Sequence, residues 1–254
     1  MASPLTVSAR AGLVRTGVPG LDALLAGGLP RGRCVLVYGD PGSGKTTLAF
    51  QYLHQGVVEF EEKGLYVTLT EDPAEIRSNM KNFGWDAAKL EREKKLTFLD
   101  ARPVVANDEG FISPVESLFK GEVLPFSHVG KLIIDRIKRL GAKRVVVDSI
   151  TVLTMQYVNR FYIRQGLLGF IQALTTRDCT SMLLVEAIKD EKNAPLEFAL
   201  APGVISVRYT RKGDGMVRSV QVQKMRGLKH KEQIYHMEIN ESGVVVNPEV
   251  RVVI

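Results

Sequence analysis

Up to Pro202, short apolar runs alternate with longer amphipathic stretches, and this rhythm predicts strands separated by helices. Cys34 to Tyr38 (CVLVY) is a short apolar run, as expected of a buried strand. It ends in a glycine-rich loop, after which Thr46 to Phe60 reads as a helix that closes near Lys63-Gly64. Leu65 to Leu69 is a second strand. Pro73, suited to a first helical turn, opens a helix that runs to Phe83. Leu96 to Leu99, Arg144 to Val147 and Ser181 to Val185 read as further strands, and Leu132 to Leu140 and Phe161 to Thr176 as helices. Arg102 to His128, with Pro103, Pro114 and Pro125, reads as an irregular insertion.

After Pro202 the pattern changes. Val204 to Arg208, Val217 to Lys224, Ile234 to Ile239 and Val244 to Val246 follow one another as strands, with Gly213-Asp214-Gly215 as the first turn. Alternating strands and helices imply right-handed crossovers and a mainly parallel sheet. The expected fold is therefore α/β, a mainly parallel sheet flanked by helices with a C-terminal antiparallel extension. It is read as one domain over residues 1–254, with residues 1–15 as a flexible N-terminal segment.

The composition, 45% hydrophobic and 24% charged in 254 residues, is ordinary for a soluble globular chain. No apolar run approaches the roughly 20 residues needed to span a bilayer, and Met1 to Arg10 has no signal-peptide layout. A cytoplasmic location without membrane association is the expectation. Cys34 and Cys179, without metal-ligand spacing, read as buried small hydrophobes. The four histidines, His54, His128, His230 and His236, form no ligand pair.

Gly39-Asp40-Pro41-Gly42-Ser43-Gly44-Lys45-Thr46 matches G-x-x-x-x-G-K-[ST] at every fixed position. Glycines let consecutive backbone N–H groups curve around phosphate oxygens, and the following helix aims its positive end at the same anion. This predicts an ATP site over Gly39 to Thr46, with Thr47 in the next position. Lys45 reaches the β and γ phosphates and the Thr46 hydroxyl ligates Mg2+. The apolar strand Val145-Val146-Val147 ends in Asp148, which is placed to hold the magnesium shell directly or through water.

Thr70-Glu71-Asp72 follows the second strand. In a parallel sheet the carboxyl ends of the strands line the ligand crevice. Glu71 is thus the candidate base that orients water against the γ phosphate. Asp72, before Pro73, fits a helix N-cap, in which case Glu71 is an exposed turn residue. Glu186, at the end of the Ser181 to Val185 strand, is either a γ-phosphate sensor or a partner of Lys189.

The net charge is +6, and the basic residues cluster: Arg208, Arg211, Lys212, Arg218, Lys224, Arg226, Lys229 and Lys231 stand against one acid, Asp214. This segment suits either an anion such as DNA, RNA or a nucleotide phosphate, or an exposed hairpin. No N-K-x-D, G-x-S-x-G or H-E-x-x-H signature occurs.

The chain resembles the KaiC-like branch of the RecA superfamily of P-loop NTPases from about Thr16 to Val246. Four stretches carry the resemblance: Thr16 to Asp22 continuing to Gly27 to Gly32, the phosphate loop, Tyr66 to Pro73 with Phe83-Gly84-Trp85-Asp86, and Lys224-Met225-Arg226-Gly227 with His230. The family's usual pair of adjacent catalytic glutamates is Thr70-Glu71 here, so the role falls to Glu71 alone. Clock KaiC proteins carry two tandem ATPase domains where this chain has one, and their phosphorylated hydroxyl pair has no clear match. The resemblance implies an ATPase that self-assembles, as a hexameric ring with ATP at subunit interfaces, and acts in regulation or in DNA recombination and repair. The alternatives are a slow nucleotide-sensing scaffold for a protein partner and an autokinase. Lys224 and Arg226, which are i and i+2 on a strand and so share a face, are expected to reach the ATP of the neighbouring subunit.

Overall fold

The computed structural model describes residues 12–102, 124–175, 178–187 and 196–253. A two-stranded ribbon comes first, with β1 (Leu13–Val14) and β2 (Leu29–Pro30) paired antiparallel around the single-turn α1 (Leu21–Leu24). Residues 13–14, expected within a flexible segment, are thus paired; residues 1–11 lie outside the described part. The main run is β3 (Cys34–Gly39), α2 (Lys45–Phe60), β4 (Gly64–Thr68), α3 (Pro73–Lys81), α4 (Ala87–Arg92) and β5 (Leu96–Asp100). It continues through α5 (Phe126–Leu140), β6 (Arg144–Asp148), α6 (Thr151–Thr154), α7 (Arg160–Leu174), β7 (Thr180–Glu186) and α8 (Leu196–Leu200). Four strands close it: β8 (Gly203–Lys212), β9 (Gly215–Met225), β10 (Tyr235–Asn240) and β11 (Gly243–Arg251).

Nine of these strands form one sheet in the order β11-β10-β9-β8-β3-β7-β6-β4-β5. From β8 to β5 every neighbouring pair is parallel, and β8, β9, β10 and β11 pair antiparallel, which is the expected division. Central strands are apolar on both faces because both are covered. Val35 and Val37 point into the cluster built around α2 and the antiparallel strands, while Cys34 and Leu36 point into the cluster beneath α5, α6 and α7. The two cysteines are buried, as expected, and neither forms a disulfide.

Two local boundaries differ from the expected ones. The helix expected from Leu132 begins at Phe126, directly after Pro125. Phe126, Val129 and Ile133 extend its apolar stripe backwards, so Pro125 starts the helix instead of belonging to irregular chain. Most of the expected insertion, 103–123, lies outside the described residues. The α3 helix stops at Lys81, two residues short of Phe83, and its start matches the reading: Asp72 accepts the Ala74 N–H and Pro73 stands in the first turn. The C-terminal extension grips α2, whose Gln51 side chain bonds both the N–H and the C=O of Val244.

Candidate nucleotide-binding site

The phosphate loop joins β3 to α2, and its glycines answer to measurable constraints. A Cβ on Gly39 would lie 1.9 Å from the Val207 carbonyl oxygen of the adjacent β8. Gly44 has φ +103°, in the left-handed region, and a Cβ there would meet Ile239 of β10 at 2.6 Å. At Gly42 (φ +75°) nothing lies within 4 Å, so the loop mouth is open. Ser43 is buried in this loop and its hydroxyl has no hydrogen-bond partner among the described residues. An orphaned buried donor inside a glycine cradle fits an anion.

Lys45, the first residue of α2, curls back so that its ammonium donates to the carbonyls of Gly39 (2.8 Å) and Asp40 (2.9 Å). Burial lowers its pKa, and the nearby carboxylates of Glu186, Asp148 and Asp40 act against that shift. Its neighbour Thr46 donates its hydroxyl proton to Asp148 Oδ2 at 2.8 Å, across 102 positions of sequence. Asp148 is the last residue of β6 and only 8% exposed. Burial raises its pKa, while hydrogen bonds from Tyr66 and Thr46 and the charge of Lys45 pull it back. The Asp148-Ser149 peptide is cis.

Parallel register brings the other carboxylates to the same rim. Thr68 at the end of β4 stands opposite Asp148, and the Leu69 N–H donates to the Asp148 carbonyl at 2.6 Å. Glu71 follows three residues after Thr68, with its main-chain carbonyl held by the Thr68 hydroxyl at 2.6 Å and its carboxyl exposed. Partial desolvation, then the charges of Asp148 and Glu75, raise the Glu71 pKa. Asp72 is occupied elsewhere: it caps α3 and pairs with Arg102, which also binds Asp100. Glu186 ends β7 opposite Gly39 of β3 and is exposed; Lys189, its suggested partner, lies outside the described residues.

The basic residues of 208–231 do not share one surface. Arg211 and Lys212 are exposed where β8 turns into β9, at one end of a hairpin roughly 35 Å long. Arg218 lies over the Tyr209 ring at 4.1 Å and donates to the Gly42 carbonyl at 3.4 Å, so it flanks the phosphate loop. Lys224 and Arg226 sit at the far end. Lys224 donates to the Phe198 carbonyl at 2.8 Å, and Arg226 donates to the Ala199 carbonyl at 3.3 Å. The shared face expected of them is present, and it presses on the last turn of α8. In register Lys224 stands beside Val204, and Val204 beside Leu36, three residues before Gly39 on β3. That is about 10 Å short of the phosphate loop along the strand direction.

Thus Lys45, Thr46, Asp148 and Glu71 converge at one rim of the sheet, and Lys224 and Arg226 do not join them within the chain. Sequence reading passed over Tyr66, whose hydroxyl donates to Asp148 Oδ2 at 2.7 Å, and the contact of Arg218 with the loop. Tyr66 reads as an ordinary apolar strand residue; a hydroxyl in a run otherwise fully buried was the available signal. Among the described residues no group of three or more His, Cys, Asp or Glu side chains is placed to hold a metal by itself, and no helix is long and apolar enough to cross a membrane.

Comparison with known proteins agrees with this geometry. Residues 14–251 match the family described as ATPase: KaiC. A UPF0273 protein of Aeropyrum pernix is 34% identical over 244 residues, covering 93% of this chain and 94% of that one. The circadian clock oscillator protein KaiC of Synechococcus elongatus is 33% identical over 240 residues, covering 92% of this chain but only 44% of the clock protein, so the chain spans less than half of that relative. The crystal structure of a KaiC-like protein from Pyrococcus horikoshii superposes with a TM-score of 0.78 at 32% identity, covering 95% of this chain and all of that one. With its glycine cradle, its Thr46–Asp148 pair and its nine-stranded sheet, this chain belongs to the KaiC family of P-loop ATPase domains.

Proposed function

We propose that the chain binds ATP with Mg2+ at Gly39 to Thr46, with Thr47 in the first turn of α2, and hydrolyses it to ADP and phosphate. The single observation that carries this reading is the Thr46–Asp148 hydrogen bond of 2.8 Å beside the Lys45 ammonium. It sets a hydroxyl and a buried carboxylate side by side at the mouth of a phosphate cradle. Mg2+ keeps octahedral oxygen ligation and is commonly held by one or two protein oxygens plus phosphate and water. Thr46 and Asp148 supply such oxygens, and the orphaned Ser43 hydroxyl inside the loop suits a phosphate oxygen. When bound, Mg2+ would neutralise charge on the phosphates.

The protein groups then divide the work. The backbone of Gly39, Asp40, Pro41, Gly42, Ser43 and Gly44 wraps the phosphates, and Lys45 exchanges its two loop carbonyls for phosphate oxygens. Glu71, three residues beyond Thr68, which stands opposite Asp148, accepts the proton of the attacking water. Its raised pKa suits a base, because a more basic carboxylate holds a water proton more firmly. Lys224 and Arg226 lie too far back along the sheet to serve this site within one chain. They are proposed to serve the ATP of a neighbouring subunit in a hexameric ring, which makes the active form a homo-oligomer.

Two variants separate binding from chemistry. Lys45→Ala should abolish ATP binding in equilibrium dialysis. Glu71→Gln should bind ATP as the wild type does and hydrolyse it roughly 10²–10⁴-fold more slowly, the usual value of a general base. Full turnover in Glu71→Gln places the base elsewhere. A role in DNA or RNA transactions rests on the basic hairpin alone, and binding that weakens steeply with salt is its signature.

A further inference from the structure

Tyr66 sits in the middle of β4 and is fully buried. Its ring packs against Phe98 (5.4 Å between centroids) and Phe50 (5.9 Å), both aromatic and without polar groups. A phenylalanine would serve that packing equally well, and a buried hydroxyl without a partner costs free energy. Its proton goes to one acceptor, and that acceptor is not a structural one. In the β4–β6 register Tyr66 stands beside Val146. Asp148 is two residues further along β6, hence on the same face and one diagonal step away. The Tyr66 hydroxyl covers that step and donates to Asp148 Oδ2 at 2.7 Å. Thr46 donates to the same oxygen from the opposite element, α2. Both protons therefore fall on Oδ2, and no described side chain donates to Oδ1.

From this geometry we propose that Tyr66 is a positioning residue for magnesium: it fixes the rotation of the Asp148 carboxylate so that Oδ1 stays turned to the cation or its water. The inference rests on the Mg2+·ATP reading above. Thr46 alone leaves the carboxylate held on one side by a group that is itself a metal ligand, so its position would vary with the metal. Tyr66 adds an anchor locked in the aromatic core, independent of the ligand. Outer-shell partners of this kind are commonly worth 10–100-fold in metal affinity.

The test compares the wild type, Tyr66→Phe and Phe98→Leu in binding a fluorescent non-hydrolysable ATP analogue, first in EDTA and then through a MgCl2 titration. Tyr66→Phe should bind the analogue as the wild type does in EDTA, yet need about ten-fold more Mg2+ to reach its tight-binding state. Phe98→Leu loosens the same core without touching the hydroxyl. It should melt at a lower temperature and keep the wild-type Mg2+ midpoint. If Tyr66→Phe does not fold, Tyr66→Met removes the same donor with a flexible apolar side chain. Equal Mg2+ midpoints in wild type and Tyr66→Phe overturn the proposal, and so does an equal shift in Phe98→Leu, which would assign the effect to packing. A wild type that binds the analogue identically with and without Mg2+ refutes the magnesium reading itself, a result distinct from either.

Discussion

The two ends of the sheet treat their charged groups in opposite ways. At the carboxyl end of β3, β4 and β6, Lys45, Thr46, Asp148 and Glu71 face one another across a rim assembled by strand register, and the polar contacts there are short. At the other end, Lys224 and Arg226 donate, among the described residues, to main-chain carbonyls of the short α8. Carboxylates flank the Lys45 ammonium, whereas Lys224 has Arg226 as its charged neighbour, and desolvation followed by that like charge lowers its pKa. A lysine and an arginine placed together, with no carboxylate paired to them among the described residues, suit an anion. Among the described residues no salt bridge reaches either of them, and on the proposed reading one subunit holds the nucleotide and these two cations serve a neighbour's.

The largest expected effect comes from breaking the first end. Gly39→Ala drives a Cβ into the Val207 carbonyl at 1.9 Å, a collision of backbone with backbone that no side-chain rotation relieves. Nucleotide binding should be lost in equilibrium dialysis, whereas Lys224 and Arg226 keep their α8 contacts. A protein that still binds ATP would show the cradle to be deformable.

A moderate effect concerns the cost of the rim. Burial holds the Asp148 pKa above its ordinary value of 3.8. In the window between the two values the folded state holds more protons than the unfolded one, so this group's contribution to stability falls as pH rises. Asp148→Asn removes that penalty. Without ligand, its melting temperature at neutral pH should exceed the wild type's. The gain should vanish below about pH 4, where both states are protonated. Differential scanning calorimetry at the two pH values measures this. A lower neutral-pH melting temperature would mean that the bonds from Tyr66 and Thr46 outweigh burial.

The smallest effect sharpens the assignment of the base. Glu71 is held above its ordinary 4.5 by desolvation, then by Asp148 and Glu75. A base acts when unprotonated, so turnover should decline as pH drops through the raised value. Glu75→Gln removes one repelling charge and should shift that acid limb to lower pH, with the plateau rate unchanged. An unmoved limb in the pH–rate profile argues against Glu71 as the titrating group.

Much of this was legible in the sequence because it is contiguous. The phosphate loop is eight consecutive residues, and Asp148 and Glu71 lie at or just past the ends of apolar strands. What escaped depends on register or on elements too short for periodicity. Single-turn α6 and the six-residue α4 carry no readable repeat, and neither does α8, whose carbonyls receive Lys224 and Arg226. Tyr66 looks like core in the sequence because its ring is core; only the alignment of β4 with β6 shows its hydroxyl against Asp148. The charge cluster of 208–231 is one block in sequence and several surfaces in space, since a hairpin separates its tip from its base.

The central claim is that one subunit binds and its neighbour completes the site, and mixing two inactive variants tests it most directly. Arg226→Ala should lose about 10³-fold or more in turnover if it acts as an arginine finger, and Glu71→Gln should be nearly inactive by itself. In mixed rings, some interfaces combine an intact Glu71 with an intact Arg226 from the adjacent subunit. The account predicts that ATPase activity partly returns, peaking at intermediate mixing ratios, while native mass spectrometry confirms mixed assemblies. Mixed rings that stay inactive at every ratio would contradict it, leaving Arg226 to act within its own chain or only to hold α8.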